Sequence, residues 1–142
     1  SQAVTAAAAK NKFALGAFSL AIDSQRTPLR FIAWSANLRA KYFGLPYGDQ
    51  AIFTTRTLFE RSGGYPELAI MEDYAFVLRL KKFGRPVILD LAATTSSRRW
   101  DNLGIFRTTI TNQAMVIGYH LGVSPDRLAS WYNRLAGLSG RS

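Results

Sequence analysis

The chain has 142 residues, of which 48% are hydrophobic, so it can form a domain with an apolar core and is not an intrinsically disordered segment. It contains no cysteine, which excludes a disulfide scaffold and thiolate zinc sites. The net charge of +9 favours an anionic partner such as nucleic acid, anionic lipid or a phosphorylated small molecule. The basic residues are scattered rather than gathered in a stripe, which argues against nucleic acid. No apolar run is long enough to predict a membrane-spanning helix.

The start of the chain predicts a helix, a strand and a second helix. Residues 3–10, AVTAAAAK, are rich in alanine, which has the highest helix propensity. No basic lead precedes an apolar core, so no signal peptide is predicted, and without an initial methionine we expect the natural start upstream. The segment Phe13–Asp23 predicts a strand bounded by turn residues. Thr27 and Pro28 predict the beginning of a helix that ends at Gly44.

The middle of the chain predicts an extended segment, a short helix and a loop. Residues 49–55, DQAIFTT, predict the extended segment. Thr57 and Glu60 have the spacing of a capping box, and the short helix that they predict ends at Gly63 and Gly64. The next residues, YPELAI, carry a proline and predict a loop.

A third helix and a second strand are predicted next. The helix covers residues 72–83, ends at Gly84, and is expected to place three apolar residues on one face, namely Phe76, Leu80 and Phe83. Residues 86–93, PVILDLAA, predict a short strand.

Two helices are predicted in the C-terminal third. A long helix covers residues 102–121, and a last helix begins at Pro125 and carries Leu128, Trp131 and Leu135. The apolar face of the long helix consists of Ile105, Phe106, Ile110 and Val116. This face packs in the core, or it lies on a second copy of the chain or on a membrane surface. We expect Trp34 and Trp131 to lie in the core.

The order of these elements indicates the fold class. Strands that alternate with helices predict an α/β or α+β layer fold. About three strands are expected, which is few for a complete α/β domain.

Several common catalytic motifs are absent from the sequence. There is no P-loop and no GxGxxG, and no Asp-x-Asp pair that would hold a divalent metal against a diphosphate. The single histidine, His120, excludes a multi-histidine metal site and makes a serine triad improbable. We expect His120 to be a surface or core residue of its helix.

An acidic pair, Glu72 and Asp73, stands in the apolar stretch IMEDYAF of residues 70–76. Acidic residues are common at the start of a helix, where they complement the helix dipole. A catalytic base is the alternative interpretation, and this motif by itself leaves both open.

Four segments occur together and in order along the chain. They are YGDQAIF (residues 47–53), FERSGGYPE (59–67), MEDYAFVLRLKKFG (71–84) and SSRRWDNLG (96–104). Together they resemble the C-terminal half of family 2 glycosyltransferases of the GT-A fold. They are most similar to a small bacterial subgroup with GDQ, GG(F/Y)PE, MED and RRW in sequence. The resemblance extends over residues 13–132.

The resemblance implies a role for the acidic pair. In the family this pair faces the sugar donor and the aspartate is the general base, a role that falls on Asp73, with Glu72 beside it in the substrate site. An inverting transfer needs one carboxylate to take a proton from the attacking hydroxyl group. A helix N-terminus favours the ionised carboxylate.

The resemblance also implies a role for Arg98, Arg99 and Trp100. They look like the end of the Q-x-x-R-W motif of processive members, in which arginine can bind diphosphate oxygens and the indole suits a sugar or base. Ser96 stands in the glutamine position, which argues against processive polymer synthesis. A solvated basic loop with Trp100 in the core is the alternative.

The resemblance places Gly48, Asp49 and Gln50 on the acceptor side of the pocket. A tight turn, held by a hydrogen bond from a side chain to the backbone, is the alternative.

The family's nucleotide-binding half and its acidic metal motif have no counterpart in this sequence. The resemblance therefore predicts that residues 1–142 form a single partial domain, the acceptor-side half of a GT-A (Rossmann-like) glycosyltransferase, inactive alone. The parent would use a nucleotide-sugar donor, an unknown acceptor and a divalent metal, Mg²⁺ or Mn²⁺, whose main ligands lie outside this chain.

Three further expectations concern partners and location. Exposed sheet edges in a half-domain predict a homodimer. We expect a cytoplasmic protein, with peripheral membrane contact as an alternative. The competing function is a non-enzymatic basic module that binds anionic lipid or nucleic acid.

Overall fold

The structure is a computed structural model that describes Gln2 and residues 13–137, without the side chains of Arg99 and Leu103. The alanine-rich helix predicted for residues 3–10 lies outside the described residues. The described chain is mixed α/β, with a two-stranded parallel sheet and several helices, which confirms the broad fold class.

The chain divides into two compact units. The first contains the described residues up to Pro66 together with Asp73–Thr95, and the second contains Glu67–Glu72 and the residues from Ser96 onward. The prediction of a single partial domain stays a prediction.

The first unit is built around strands β1 and β2. In chain order its elements are β1 (Phe13–Asp23), α1 (Thr27–Phe43), a 3₁₀ turn (Gly48–Gln50), α2 (Arg56–Arg61), α3 (Glu72–Leu80), a second 3₁₀ turn (Lys81–Phe83) and β2 (Arg85–Ser96). The Ser19 hydroxyl of β1 donates a hydrogen bond to the Leu89 carbonyl of β2 at 2.9 Å. Helix α3 begins at Glu72 and strand β2 ends at Ser96, and these two residues are assigned to the second unit.

The core of the first unit lies between β1 and α3. Leu15 of β1 is fully buried against Phe76, Val77 and Leu80 of α3. Phe76 and Leu80 belong to the helix face that the sequence pattern predicts, and Val77, at position i+1, adjoins it.

The bounds of β1 and α1 confirm the sequence predictions. Pro28 lies in the first turn of α1, where its missing N–H costs nothing, and Gly44 ends the helix in the left-handed conformation with φ of 60°.

The extended segment predicted for residues 49–55 is wrong at its start, because Asp49 and Gln50 lie in the 3₁₀ turn and Ala51 has left-handed backbone. Later in the segment Phe53 forms a single antiparallel bridge with Gly16 of β1. A Cβ atom on Gly16 would lie 2.2 Å from the Phe53 ring, so only glycine allows this approach. The sheet of the described residues therefore has two strands rather than about three.

Two helix boundaries also differ from prediction. Thr55, not Thr57, begins α2, because its hydroxyl accepts a hydrogen bond from the Leu58 amide at 3.3 Å. Helix α3 ends at Leu80 rather than at residue 83, and Phe83, in the 3₁₀ turn after it, is exposed.

The second unit is helical in the described residues. It contains α4 (Arg98–Leu103), α5 (Ile105–His120) and α6 (Pro125–Leu135). The long helix predicted for residues 102–121 is confirmed over Ile105–His120, but its predicted start is wrong, because Gly104 has φ of 80° and separates α4 from α5. A Cβ atom on Gly118 of α5 would lie 2.6 Å from Leu128 Cδ2, so glycine allows α5 and α6 to pack closely.

The predicted core positions of two tryptophans are wrong. Trp34 on α1 and Trp131 on α6 are both exposed. On α5, Phe106 and Ile110 are exposed as well. Over the described residues, no helix is both long and apolar enough to cross a membrane.

Candidate functional site

The first unit brings Asp73 into direct contact with the 3₁₀ turn Gly48–Gln50, which we call the GDQ turn. The Gly48 amide donates a hydrogen bond to Asp73 Oδ2 at 2.7 Å, across 25 positions of sequence. The Tyr74 amide donates to Asp73 Oδ1 at 2.7 Å. Each carboxylate oxygen keeps a further lone pair, so the half-buried carboxylate can accept a proton or another hydrogen bond.

Glycine is required at position 48 for this contact. A Cβ atom there would lie 2.8 Å from Asp73 Oδ2. Two of the predicted site residues are therefore fitted to each other, although they lie in different sequence motifs.

The GDQ turn is anchored by Gln50, which is fully buried. Gln50 Nε2 donates to the Phe18 carbonyl at 3.2 Å and to Asn37 Oδ1 at 3.4 Å, and its Oε1 accepts from the Tyr47 amide at 3.3 Å. Because these bonds occupy both ends of the amide, Gln50 holds the turn in place and is not available to a ligand.

Asn37 of α1 connects the same turn to β1. Its Oδ1 accepts from the Leu20 amide at 2.6 Å, and its Nδ2 donates to the Leu20 carbonyl at 3.0 Å. The side chain thus satisfies the backbone groups of a strand residue, as a neighbouring strand would.

Asp49 and Glu72 are the exposed carboxylates of the predicted site. Asp49 lies in the middle of the anchored turn, and Glu72 is the first residue of α3. The predicted helix start at the acidic pair is therefore confirmed.

Tyr47 precedes the turn and is surrounded by charged and aromatic groups. The Arg39 guanidinium lies over its ring at 3.6 Å, and the Tyr74 ring meets it edge-on at 5.8 Å. Burial raises the pKa of the Tyr47 hydroxyl above its ordinary value, Arg39 lowers it, and Asp73 and Asp49 raise it. Tyr47 therefore stays neutral and can donate a hydrogen bond at neutral pH.

Two residues within these sequence segments have strained backbone. Ala51, directly after the turn, has φ of 47°, and Met71, directly before the acidic pair, has φ of 68°. Non-glycine residues rarely adopt this conformation, and such strain is concentrated at functional sites.

The GGYPE segment also reaches this part of the first unit. The Tyr65 ring lies 4.2 Å from the Phe76 ring of α3, and Phe59 meets Phe76 at 5.6 Å. Together with Ile52 and Arg56, these residues line an open cavity of about 370 Å³. The first unit therefore collects residues of three of the four motifs.

The fourth segment, SSRRWDNLG (residues 96–104), belongs to the second unit. Arg98 Nε donates to Ser96 Oγ at 3.2 Å, and Trp100 is 7% exposed. The structure does not describe the Arg99 side chain. The burial of Trp100 agrees with the alternative in which it packs in the core.

The described residues do not fit a bound metal. They contain no group of three histidine, aspartate or glutamate side chains that could hold one. We assign no metal ligand to this part of the chain.

Sequence reasoning missed Tyr47, Arg39 and Asn37. Tyr47 had a signal, since it directly precedes the GDQ motif. Asn37 had a weaker one, because asparagine is a poor residue for the middle of a helix and suggests a specific hydrogen bond. Arg39 had no signal beyond its place on α1.

Comparisons with protein-family models, with characterised proteins and with solved structures find no match for this chain.

Proposed function

We propose that this chain is the acceptor-side part of an inverting glycosyltransferase of family 2, with the GT-A fold, and that Asp73 is its general base. The observation that carries this proposal is the hydrogen bond between the Gly48 amide and Asp73 Oδ2. Two motifs that resemble the family's acceptor and base segments meet there, at a position that accepts only glycine without a rearrangement.

The proposed reaction moves a sugar from a nucleotide-sugar donor to a hydroxyl group. The acceptor oxygen forms a bond to the anomeric carbon, and Asp73 takes the hydroxyl proton. The bond between that carbon and the diphosphate oxygen breaks, and the nucleoside diphosphate leaves with the electron pair. Attack opposite the leaving group inverts the configuration of the sugar.

The residues around Asp73 would position the acceptor. The anchored turn presents the exposed Asp49 beside the base, and a carboxylate is a strong acceptor for sugar hydroxyl groups. The neutral Tyr47 hydroxyl adds a donor. Holding these groups on a turn fixed by Gln50 lowers the entropy cost of orienting the acceptor.

Other parts of the proposal rest on the resemblance alone. The donor's diphosphate would be met by Arg98 and Arg99, and Glu72 would face the donor sugar. The metal and most nucleotide contacts would come from residues outside this chain, in a preceding half of the parent. Sequencing the reading frame upstream of Ser1 tests this point, since an in-frame stop next to an initiator would contradict it.

Asp73→Asn in the whole gene product tests the base. The amide keeps the shape of the carboxylate but cannot take the proton, so release of nucleoside diphosphate should slow by about 10²-fold or more. The measurement is coupled detection of nucleoside diphosphate from a panel of nucleotide sugars with a bacterial extract as acceptor source.

Asp90→Asn is the matched control, because Asp90 is an exposed aspartate of β2 outside the proposed site. It should release nucleoside diphosphate at the rate of the unmodified protein. An unchanged rate for Asp73→Asn would rule out Asp73 as the base. If the unmodified protein released no nucleoside diphosphate with any donor, the proposed transferase activity would be contradicted.

A further inference from the structure

The outer face of α1 carries a row of exposed apolar residues. They are spaced by three, four, four and one positions, so they share one side of the helix and its C-terminal end, and their exposed fractions lie between 40% and 72%. We call them the aromatic face of α1, and they are Phe31, Trp34, Leu38, Tyr42 and Phe43.

The buried face of the same helix is made mostly of small residues. Leu29, Ala36 and Ala40 are the buried positions of α1. Helix α1 thus directs its largest rings away from the core of its unit, against the usual preference of such residues. The Phe31 and Trp34 rings lie 5.5 Å apart and form a continuous surface. A contiguous exposed apolar patch of this kind marks an interaction surface.

Positive charge borders the aromatic face along the helix. Helix α1 contains Arg30, Arg39 and Lys41 and no aspartate or glutamate. Arg30 and Lys41 are exposed and, at 100° per residue, fall on the same edge of the aromatic face.

A second group of basic residues lies at the C-terminal end of α1. Lys81 Nζ donates a hydrogen bond to the Phe43 carbonyl at 2.7 Å, which fixes the basic 3₁₀ turn against that end. Lys82 and Arg85 follow in the chain and are both exposed. The cations therefore extend along one edge and one end of the aromatic face.

We propose that α1 binds the surface of an anionic lipid membrane, with its aromatic face in the interfacial region and its cations at the lipid headgroups. Tryptophan and tyrosine side chains are favoured at the membrane interface, and basic residues are attracted to anionic lipid. The helix lies along the surface rather than across it, because no helix of the described chain can span a membrane.

The charge pattern favours lipid over a second copy of the chain. A two-fold contact through this face would bring together the basic edges of two copies if the two helices ran antiparallel, or their basic ends if they ran parallel, and like charges in contact are unfavourable. An anionic surface instead neutralises them. This inference does not depend on the proposed transferase activity, since no residue of the aromatic face belongs to the candidate site.

Vesicle sedimentation with the full chain tests the proposal. With vesicles of equal parts phosphatidylcholine and phosphatidylglycerol, Phe31→Ser together with Trp34→Ser should weaken binding by about tenfold or more, because two rings that would enter the membrane interface are lost. Arg30→Gln together with Lys41→Gln should weaken it by roughly fivefold or more. Both pairs change exposed residues, and circular dichroism checks that the variants are folded.

Phe106→Ser is the matched control, because Phe106 is an exposed phenylalanine on another helix, α5. It should bind like the unmodified chain, and vesicles of phosphatidylcholine alone should bind the chain much less. An equal loss with Phe106→Ser, equal binding to neutral vesicles, or no vesicle binding would each overturn the proposal. So would a dimer that needs Phe31 and Trp34 and does not bind vesicles, because a second copy would then cover the face.

Discussion

The contact between Gly48 and Asp73 shows how one missing side chain positions a carboxylate. Gly48→Ala would place a methyl group 2.8 Å from Asp73 Oδ2 and 3.4 Å from its Cβ and Cγ atoms. Because Oδ2 is the end of a side chain, the carboxylate should rotate away and lose the Gly48 hydrogen bond. We expect a loss of about 1 kcal/mol in the free energy of unfolding, measured by urea denaturation.

The same substitution in an Asp73→Ala background is the control for this prediction. With the carboxylate removed, the new methyl group has room, so Gly48→Ala should then cost much less. A double-mutant cycle measures the difference. Equal costs in the two backgrounds would mean that Gly48 is needed for some reason other than Asp73.

At the residue scale, the sequence placed Gly48 and Asp73 among the candidate site residues. It also offered a turn held by a hydrogen bond from a side chain to the backbone, but not the distant partners of Gln50. The order of the four segments along the chain was enough to select these candidate residues. Besides Tyr47, the partners of Gln50 are Phe18 and Asn37, which lie 32 and 13 positions away. Pairings of this kind depend on how β1 and α1 pack, and local sequence does not specify that.

At the scale of elements, Gln50 and Asn37 join the GDQ turn, β1 and α1. Gln50→Leu would remove these hydrogen bonds and leave the Phe18 carbonyl and the Tyr47 amide without this partner. Buried polar groups that lose a partner are costly, so we expect a loss of about 2–3 kcal/mol in the free energy of unfolding. Urea denaturation followed by circular dichroism measures it.

Gln113→Leu is the matched control, because Gln113 is exposed on α5. It should change the free energy of unfolding by no more than about 0.5 kcal/mol. A similar small effect of Gln50→Leu would show that the hydrogen bonds of Gln50 do not hold the three elements together.

Helix and strand boundaries were predictable where proline or glycine marks them. Pro28 and Gly44 bound α1, and Pro125 begins α6, as the sequence indicates. The break at Gly104 was not predicted, because an isolated glycine is tolerated within a helix and its φ is set by the surrounding structure. Asp49 and Gln50 were wrongly assigned to an extended segment, because the side chain of Gln50 closes a turn where the residue pattern favours extension.

At the scale of the whole chain, the sequence pattern does not say which apolar residues face the core. Helix α1 is apolar on two sides, and its small residues Ala36 and Ala40 are buried while Trp34 is exposed. Large rings are ordinarily the better core residues, which is why Trp34 was wrongly placed there. The description of the chain as two units also had no sequence signal, since no linker of distinctive composition separates them.

The net charge of +9 gives a prediction for the entire chain. Excess positive charge repels itself in the compact state, and salt screens that repulsion. Raising sodium chloride from about 0.01 M to about 0.15 M, where the Debye length falls from roughly 30 Å to 8 Å, should therefore increase the free energy of unfolding. Lys82→Gln together with Arg85→Gln removes two charges from exposed positions, so it should make this increase smaller. Asp90→Asn removes a negative charge and should make it larger. Urea midpoints at both salt concentrations measure the three responses. Responses in the same order as the net charges would mean that repulsion across the molecule, rather than one local ion pair, limits stability at low salt, whereas a decrease with salt in all three chains would contradict it.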